Sequence, residues 1–403
     1  MTFALPPLSL YVHMPWCVRK CPYCDFNSHR APDVVPQREY ISALLEDLEL
    51  DLPSIVGRQV VSVFFGGGTP SLFSPAEIGA FLHGARQRIE FAAGAEITLE
   101  ANPGTIERGR FAGYRDAGVN RVSLGVQSFN DEHLRALGRI HSAGDADRAL
   151  DELREAGLDN FNLDLMYGLP NQSREQAASD VERAIASGPA HISHYQLTLE
   201  PGTAFHRRPP ALPDPDLIWE IQLASQQRLA EAGYRHYEVS AYARPGRECA
   251  HNLNYWEYGD YLGLGAGAHG KITLGGMDIV RTMRIRSPHR YLSSTADERV
   301  EARTPVRIEE RAFEFMLNAL RLTSGTSQAL FEARTGQTPA SIASQIDRAK
   351  REGLVECRDG RWIPTEFGRR FLNELQARFL PLSEGPKAAR HSSAADVTER
   401  ASS

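Results

Sequence analysis

The stretch Leu8-Ser-Leu-Tyr11-Val-His13-Met-Pro15-Trp-Cys17-Val-Arg-Lys-Cys21-Pro-Tyr23-Cys24-Asp-Phe26-Asn27 runs a short apolar strand straight into three crowded cysteines. Working outward, the same opening unit recurs: a β-rich run followed by an amphipathic helical pattern. The apolar runs are Leu8–His13, Val60–Phe65, Glu96–Glu100, Arg121–Val126, Phe161–Met166 and His191–Leu197. Between them lie helical stretches at Arg38–Asp51, Pro75–Ile89, Ile106–Ala117, Ala143–Ala156 and Arg174–Ser187. Strands that are apolar without alternation, and separated by helices, belong to a parallel sheet covered on both faces. Six such units with right-handed crossovers predict an α/β fold, a partial (β/α)6 barrel over residues 1–240.

Chemistry falls at the strand ends. The three cysteines follow the first strand, and Gly66-Gly67-Gly68-Thr69-Pro70 follows the second. Glu100 and Asn102 end the third and Gln127 and Ser128 the fourth; Asp164 lies toward the end of the fifth, and Tyr195 and Gln196 in the sixth. In a parallel barrel these C-terminal ends share one mouth, where active sites form.

Beyond the barrel, Asp216–Gly233 reads as a helix and His236–Tyr242 as a strand. The Gly- and aromatic-rich run from His251 to Gly270 reads as packed loops, and Lys271–Met283 as a hairpin around Gly275-Gly276. Residues 241–302 are thus a barrel-associated extension. A C-terminal domain of small α+β, winged-helix-like type follows over 303–382. It has helices at Ile308–Leu322 and Ala340–Glu352, a β-wing at Leu354–Pro364 and a closing helix at Thr365–Phe379. The polar tail 383–403 reads as disordered.

Composition bounds the function. The 403-residue chain is 42% hydrophobic and 24% charged, with net charge −6 and pI near 6.1. It therefore carries no overall basic attraction to nucleic acid or anionic lipid, and the winged-helix-like module has no clean basic stripe, so no nucleic-acid partner is expected. No run reaches the ~18–20 apolar residues that span a bilayer. The start, MTFALPPLSLYVHMPW, lacks the features of a signal peptide, and the expected location is cytoplasmic.

Of five cysteines, Cys249 and Cys357 are isolated, while Cys17, Cys21 and Cys24 form C-x3-C-x2-C, a poor disulfide framework. Thiolates are soft ligands for iron–sulfur clusters or zinc. Zinc needs a fourth ligand, for which His13 or His29 is available. A four-iron cluster on three cysteines instead leaves one iron open to a cofactor or substrate.

A C-x3-C-x2-C loop after a first barrel strand resembles the radical S-adenosylmethionine (SAM) superfamily. That resemblance implies a [4Fe–4S] cluster whose open iron is chelated by the SAM amine and carboxylate. Tyr11-x-His13-x-Pro15, GGGTPS at Gly66–Ser71, LEANPGT at Leu99–Thr105, GVQSF at Gly125–Phe129 and LGRIH at Leu137–His141 resemble one branch, the oxygen-independent coproporphyrinogen III oxidase group, over about residues 8–380. The resemblance implies SAM contacts from Tyr11, Gly67, Gly68, Thr69, Glu100, Gln127, Arg139 and Asp164, with Tyr23 packing against adenine. The oxidase arm carries another cysteine where this chain has Phe26, and a longer segment before the cluster than the 16 residues here.

CPYCDFNS at Cys21–Ser28 and HNLNY at His251–Tyr255 resemble the other arm, the HemW heme chaperones. That resemblance implies heme as ligand, heme-accepting proteins, respiratory ones among them, as partners, and His251 as heme ligand, with His191, His194 and His269 as rivals. It leaves room for a homodimer and for peripheral membrane association through an acceptor. Imidazole is a good axial ligand, and Tyr255, Trp256, Tyr258 and Tyr261 offer aromatic surface for a macrocycle. Two other readings stay open, an active coproporphyrinogen oxidase and a radical enzyme for another substrate.

Overall fold

The computed structural model describes residues 5–104 and 109–381. Thr105, the Ile106 start of one predicted helix and the tail 383–403 lie outside them. The six expected strands are present as β1 (Leu8–Met14), β2 (Val60–Gly67), β3 (Phe91–Ala101), β4 (Arg121–Gln127), β5 (Phe161–Tyr167) and β6 (His191–Gln196), all paired in parallel in that order. The intervening helices are α1 (Gln37–Asp51), α2 (Pro75–Arg86), α3 (Phe111–Asp116), α4 (Ala143–Glu155) and α5 (Arg174–Ala186), with a short helix, Asp131–Ala136, ahead of α4.

Strand alternation divides the two faces. Leu8, Leu10, Val12 and Met14 of β1 are buried in the main core with Leu44, Phe81, Leu82 and Leu150 of the surrounding helices. Ser9, Tyr11 and His13 therefore point the other way, into the barrel. Ser74, Ser142 and Ser173 cap α2, α4 and α5 by accepting from backbone N–H groups three residues on, which satisfies orphan helix donors and fixes where each crossover turns.

The predicted helix after β6 is α6 (Pro215–Glu231). The predicted strand His236–Tyr242 is two antiparallel pieces, β7 (Arg235–Glu238) and β8 (Ala241–Ala243), with β8 on the outer edge of β6. The His251–Gly270 run departs from its expected loops. It forms helix α7 (Ala250–Trp256) and strand β9 (Asp260–Leu264), and β9 pairs in parallel with β1 as a seventh parallel strand. Glycine is depleted in strands, which hid β9, yet Gly263 is required here. A Cβ on it would lie 2.0 Å from the His269 carbonyl oxygen of the next strand. β10 (His269–Thr273), β11 (Ile279–Arg284) and β12 (Val300–Pro305) continue antiparallel from β9, so one twelve-stranded sheet runs from β12 to β7.

A buried ion cluster ties this extension to α1. Arg284 donates to Asp47 and to Asp51, each at 2.6 Å, and Tyr291 donates to Asp47 at 2.8 Å. The C-terminal part packs a second core around Phe315, Met316, Phe331 and Trp362, which also takes in Tyr258 and Ile279. Its helices include Ile308–Ala319, Ala343–Arg351, Glu366–Arg370 and Leu372–Ala377, and its wing is Val355–Arg358 with Arg361–Pro364. One further helix, Gln328–Thr335, was not anticipated, although Ser327 caps it.

Candidate cofactor site

The cysteine loop is fastened at both ends. Trp16–Cys17 and His29–Arg30 form a two-residue parallel ladder, and the backbone turns back at Cys24 N–H to Cys21 C=O, 3.2 Å. Asn27 Nδ2 donates to the carbonyls of Ala266 (3.0 Å) and Arg286 (2.9 Å), pinning the loop to the extension. From the other side, Gly68 N–H donates to Met14 C=O and Thr69 N–H to Trp16 C=O. Gly67 has φ +103°, and a Cβ there would stand 2.4 Å from the His13 ring. The glycine-rich loop thus approaches β1 closely. Its Gly67 amide faces Glu100 at 3.3 Å, so the amides of Gly67, Gly68 and Thr69 are spent inside the protein and do not await a ligand.

The three thiols are free and half-buried. Burial raises the Cys17 thiol to about 11, against a hydrogen bond from Thr69 Oγ1 at 3.4 Å. Asn102 donates to that same Thr69 hydroxyl at 3.1 Å and accepts from Arg139, whose other arm meets Cys21 Sγ at 3.6 Å. Asn102 was noted at the end of β3 but not among the expected site residues, and here it braces two of the three cysteines.

The thiols open onto a cavity of about 400 Å³ at the C-terminal ends of the parallel strands, within the roughly 300–1,000 Å³ usual for small-molecule sites. Tyr23, Gly67, Gly68, Thr69, Glu100, Gln127, Arg139 and Asp164 all line it, with Asn102, Ser123, Ser193 and Tyr195. Glu100 is pushed up to about 8, by burial first and by the nearby Asp164 second. Asp164 is itself raised by burial, although Asn162 (2.8 Å) and Ser123 (3.1 Å) donate to it. Gln127 sits at φ +67° and accepts from the Tyr195 hydroxyl at 2.7 Å.

Tyr11 is not among the lining residues. The β1 alternation drops it a layer below His13, to whose Nδ1 its hydroxyl bonds at 3.0 Å. His251 lies deeper still. Helix α7 enters the barrel from the N-terminal end of the strands, where Glu96 accepts the Ala250 and His251 amides. His251 is 2% exposed, bonded through Nδ1 to Ser62 Oγ at 3.0 Å, stacked on Phe64 at 5.0 Å and bordered by Tyr255 and Tyr11. Its Nε2 has no hydrogen-bond partner, and burial holds the imidazole down to about 3, hence neutral. Neutrality suits a ligand, but the packed rings leave no open face for a macrocycle. His191 is spent on Asn162 and Tyr237, His194 is buried against Tyr167, and His269 is exposed on β10.

The donor set fits an iron–sulfur cluster better than zinc. Asn27 O can only accept, so His13 Nε2 carries the proton of that 3.0 Å bond and Nδ1 takes the Tyr11 hydroxyl. Both His13 nitrogens are occupied. His29 is drawn toward Asn27 Oδ1 at 3.2 Å. Among the described residues no three Cys, His, Asp or Glu side chains are set around a single metal ion. The cavity also gathers two buried carboxylates, Glu100 and Asp164, and its lining includes Arg139, whose Nε is buried without a hydrogen-bond partner. Such a cavity favours a zwitterionic or cationic guest.

Among known proteins, the Radical SAM superfamily model matches residues 11–184 and the HemN C-terminal domain model residues 308–371. The heme chaperone HemW of Escherichia coli is 50% identical over 93% of this chain and 99% of its own length, and that of Mycobacterium tuberculosis H37Rv is 34% identical over 90% and 92%. Among solved structures, the coproporphyrinogen III oxidase HemN of Escherichia coli, a radical SAM enzyme, superposes with TM-score 0.79 at 24% identity over 93% of this chain and 90% of that one, a likeness of fold. No helix among the described residues is long and apolar enough to cross a membrane.

Proposed function

Because this chain belongs to the HemW family of heme chaperones, within the radical SAM superfamily, we propose that it binds heme and passes it to heme proteins, with a [4Fe–4S] cluster on Cys17, Cys21 and Cys24 and SAM in the adjoining cavity. The observation that carries the reading is the single cavity shared by the three thiols and the strand-end polar groups. When bound, the cluster and SAM supply one-electron reduction of a sulfonium. The rest is done by the chain. Glu100 and Asp164 offer negative charge to the cationic cofactor, and Tyr195 aims the Gln127 carboxamide. Arg139 and Asn102 steady the cysteine loop. Tyr23 packs against Phe205 at 6.3 Å and lines the wall where an adenine ring would lie. Respiratory heme proteins are the class of acceptor that the resemblance suggests.

Phe26 in place of a further cysteine favours the chaperone over the oxidase. The test is an anaerobic titration of the cluster-reconstituted protein with heme, followed at the Soret band, then transfer to an apo heme protein. Saturable binding near one heme per chain and transfer to the acceptor are expected. Absence of specific binding with the cluster intact sinks the chaperone reading. Protoporphyrinogen formed from coproporphyrinogen III with SAM and a reductant establishes the oxidase instead.

A further inference from the structure

A second cavity, of about 740 Å³, lies along the cysteine loop and shares Cys21, Cys24, Phe26 and Ser28 with the first. Its walls are the loop from Lys20 to His29 on one side and Pro201–Arg207 on the other, with Arg286 and Ser287 at the end. Apart from Cys21 and Cys24, the cofactor reading gives its lining residues no role, and its chemistry is specific. Phe26, which borders both cavities, is 62% exposed, an aromatic ring left in water on an otherwise well-bonded loop. Three cations line it, Lys20, Arg207 and Arg286, against one carboxylate, Asp25. A flat apolar face beside clustered positive charge suits a planar hydrophobic dianion.

The groove also holds one imidazole, His29. The Asn27 amide orientation is fixed, because its nitrogen donates to two carbonyls. Its Oδ1 must then accept, so the proton of the 3.2 Å contact sits on His29 Nε2. A neutral imidazole held this way keeps its lone pair on the other nitrogen, the usual second-contact arrangement of a metal-binding histidine. The Arg286 carbonyl also accepts a hydrogen bond from the same ring, so the other nitrogen keeps its lone pair only where Nε2–H serves both acceptors.

We propose that this groove is the heme seat: the macrocycle lies on Phe26, its propionates meet Arg207 and Arg286, and His29 supplies the axial imidazole. The proposal rests on the heme-chaperone reading. It puts heme against the Lys20–His29 loop, next to the cofactor cavity with which the groove shares Phe26 and Ser28, and it leaves His251 as an interior residue.

The test titrates heme into full-length, cluster-reconstituted protein under anaerobic conditions, comparing wild type with Arg207→Glu/Arg286→Glu and with His29→Gln. Both arginines are exposed, so the double variant retains its fold, checked by unchanged iron content and SAM binding. The expected result is at least tenfold weaker heme binding in the double variant and a displaced Soret band in His29→Gln. Wild-type affinity in the double variant overturns the groove while leaving the chaperone reading intact. An unaltered Soret band in His29→Gln overturns the axial assignment. If wild type itself binds no heme, both readings fall together. If His251→Ala loses heme at least tenfold with unchanged circular dichroism, while the groove variants do not, the seat is inside the barrel and the proposal is overturned.

Discussion

The Arg139 guanidinium donates to the Asn102 carboxamide, and this contact closes a chain of hydrogen bonds that starts on Cys17, passes through Thr69 and ends on Cys21. Two of the three thiols are thereby braced by Thr69 and Asn102, just past the ends of β2 and β3, and by Arg139, just past the helix Asp131–Ala136. Asn102→Ala should let the cluster form but loosen it. We expect iron loss to a chelator to be roughly 3–10-fold faster, the range seen when outer partners of metal ligands are removed being about 10–100-fold in affinity. Iron release followed over time checks this, and wild-type kinetics would refute the bracing role.

Cys17→Ala, Cys21→Ala and Cys24→Ala should each abolish the cluster, since no other thiol lies beside them. Cys249 is buried with its thiol directed to Glu96 at 3.4 Å, and Cys357 is exposed in the C-terminal wing. Their replacement should leave iron and sulfide content unchanged. Loss of iron on replacing Cys249 would revise the ligand set.

Glu100 links cofactor binding to pH. Its carboxyl is raised from 4.5 to about 8, so the folded chain without ligand holds a proton there that the unfolded chain has released. Stability from this group is complete below pH 4.5 and declines as pH rises toward 8. A cationic guest favours the ionised carboxylate, so SAM binding should expel a proton and tighten with rising pH, by up to about tenfold per unit below pH 8. Calorimetry between pH 6.5 and 8.5 measures it. Glu100→Gln should flatten the profile, and a flat wild-type profile would contradict the assignment.

His251→Ala should cost stability rather than heme affinity. It removes a buried stacked ring and leaves Ser62 without its imidazole partner, a loss of about 2–4 kcal/mol. Denaturant unfolding gives the first quantity and Soret titration the second.

Arg284→Met should destabilise by about 3–5 kcal/mol, because it strands Asp47 and Asp51, both buried, without their main cation. An unchanged unfolding midpoint would show the ion cluster to be dispensable.

Periodicity made the first six strands legible, because each is a short β-rich run set between amphipathic helical stretches, and their ends announced the mouth. Glu100, Gln127, Arg139 and Asp164 meet there although they lie far apart in the chain. Tyr11 lies a layer below the residues that line the mouth, bonded to His13, a depth that strand alternation sets and the motif alone does not give. The seventh strand was hidden by Gly263, which the neighbouring backbone requires. His251 was legible as part of a motif, but its burial depends on α7 entering the barrel, and that follows from contacts with Ser62, Phe64 and Glu96, nearly 190 residues away for Ser62. The Arg284 cluster likewise joins residues 237 apart and has no local signature.

The Asn27 bonds to Ala266 and Arg286 bear on the order of biosynthesis. The cysteine loop leaves the ribosome well before its clasp, which lies about 240–260 residues further along the chain. Until that segment emerges, the three thiols hang on a tether lacking one of its two moorings. Iron offered to the growing chain meets a loose loop, whereas iron offered to the completed chain meets a set one, and β9 arrives beside β1 in the same late stretch. If the three thiols take up a cluster, a nascent chain halted at residue 240, short of the Ala266 and Arg286 carbonyls, is expected to be a poorer recipient than the completed one.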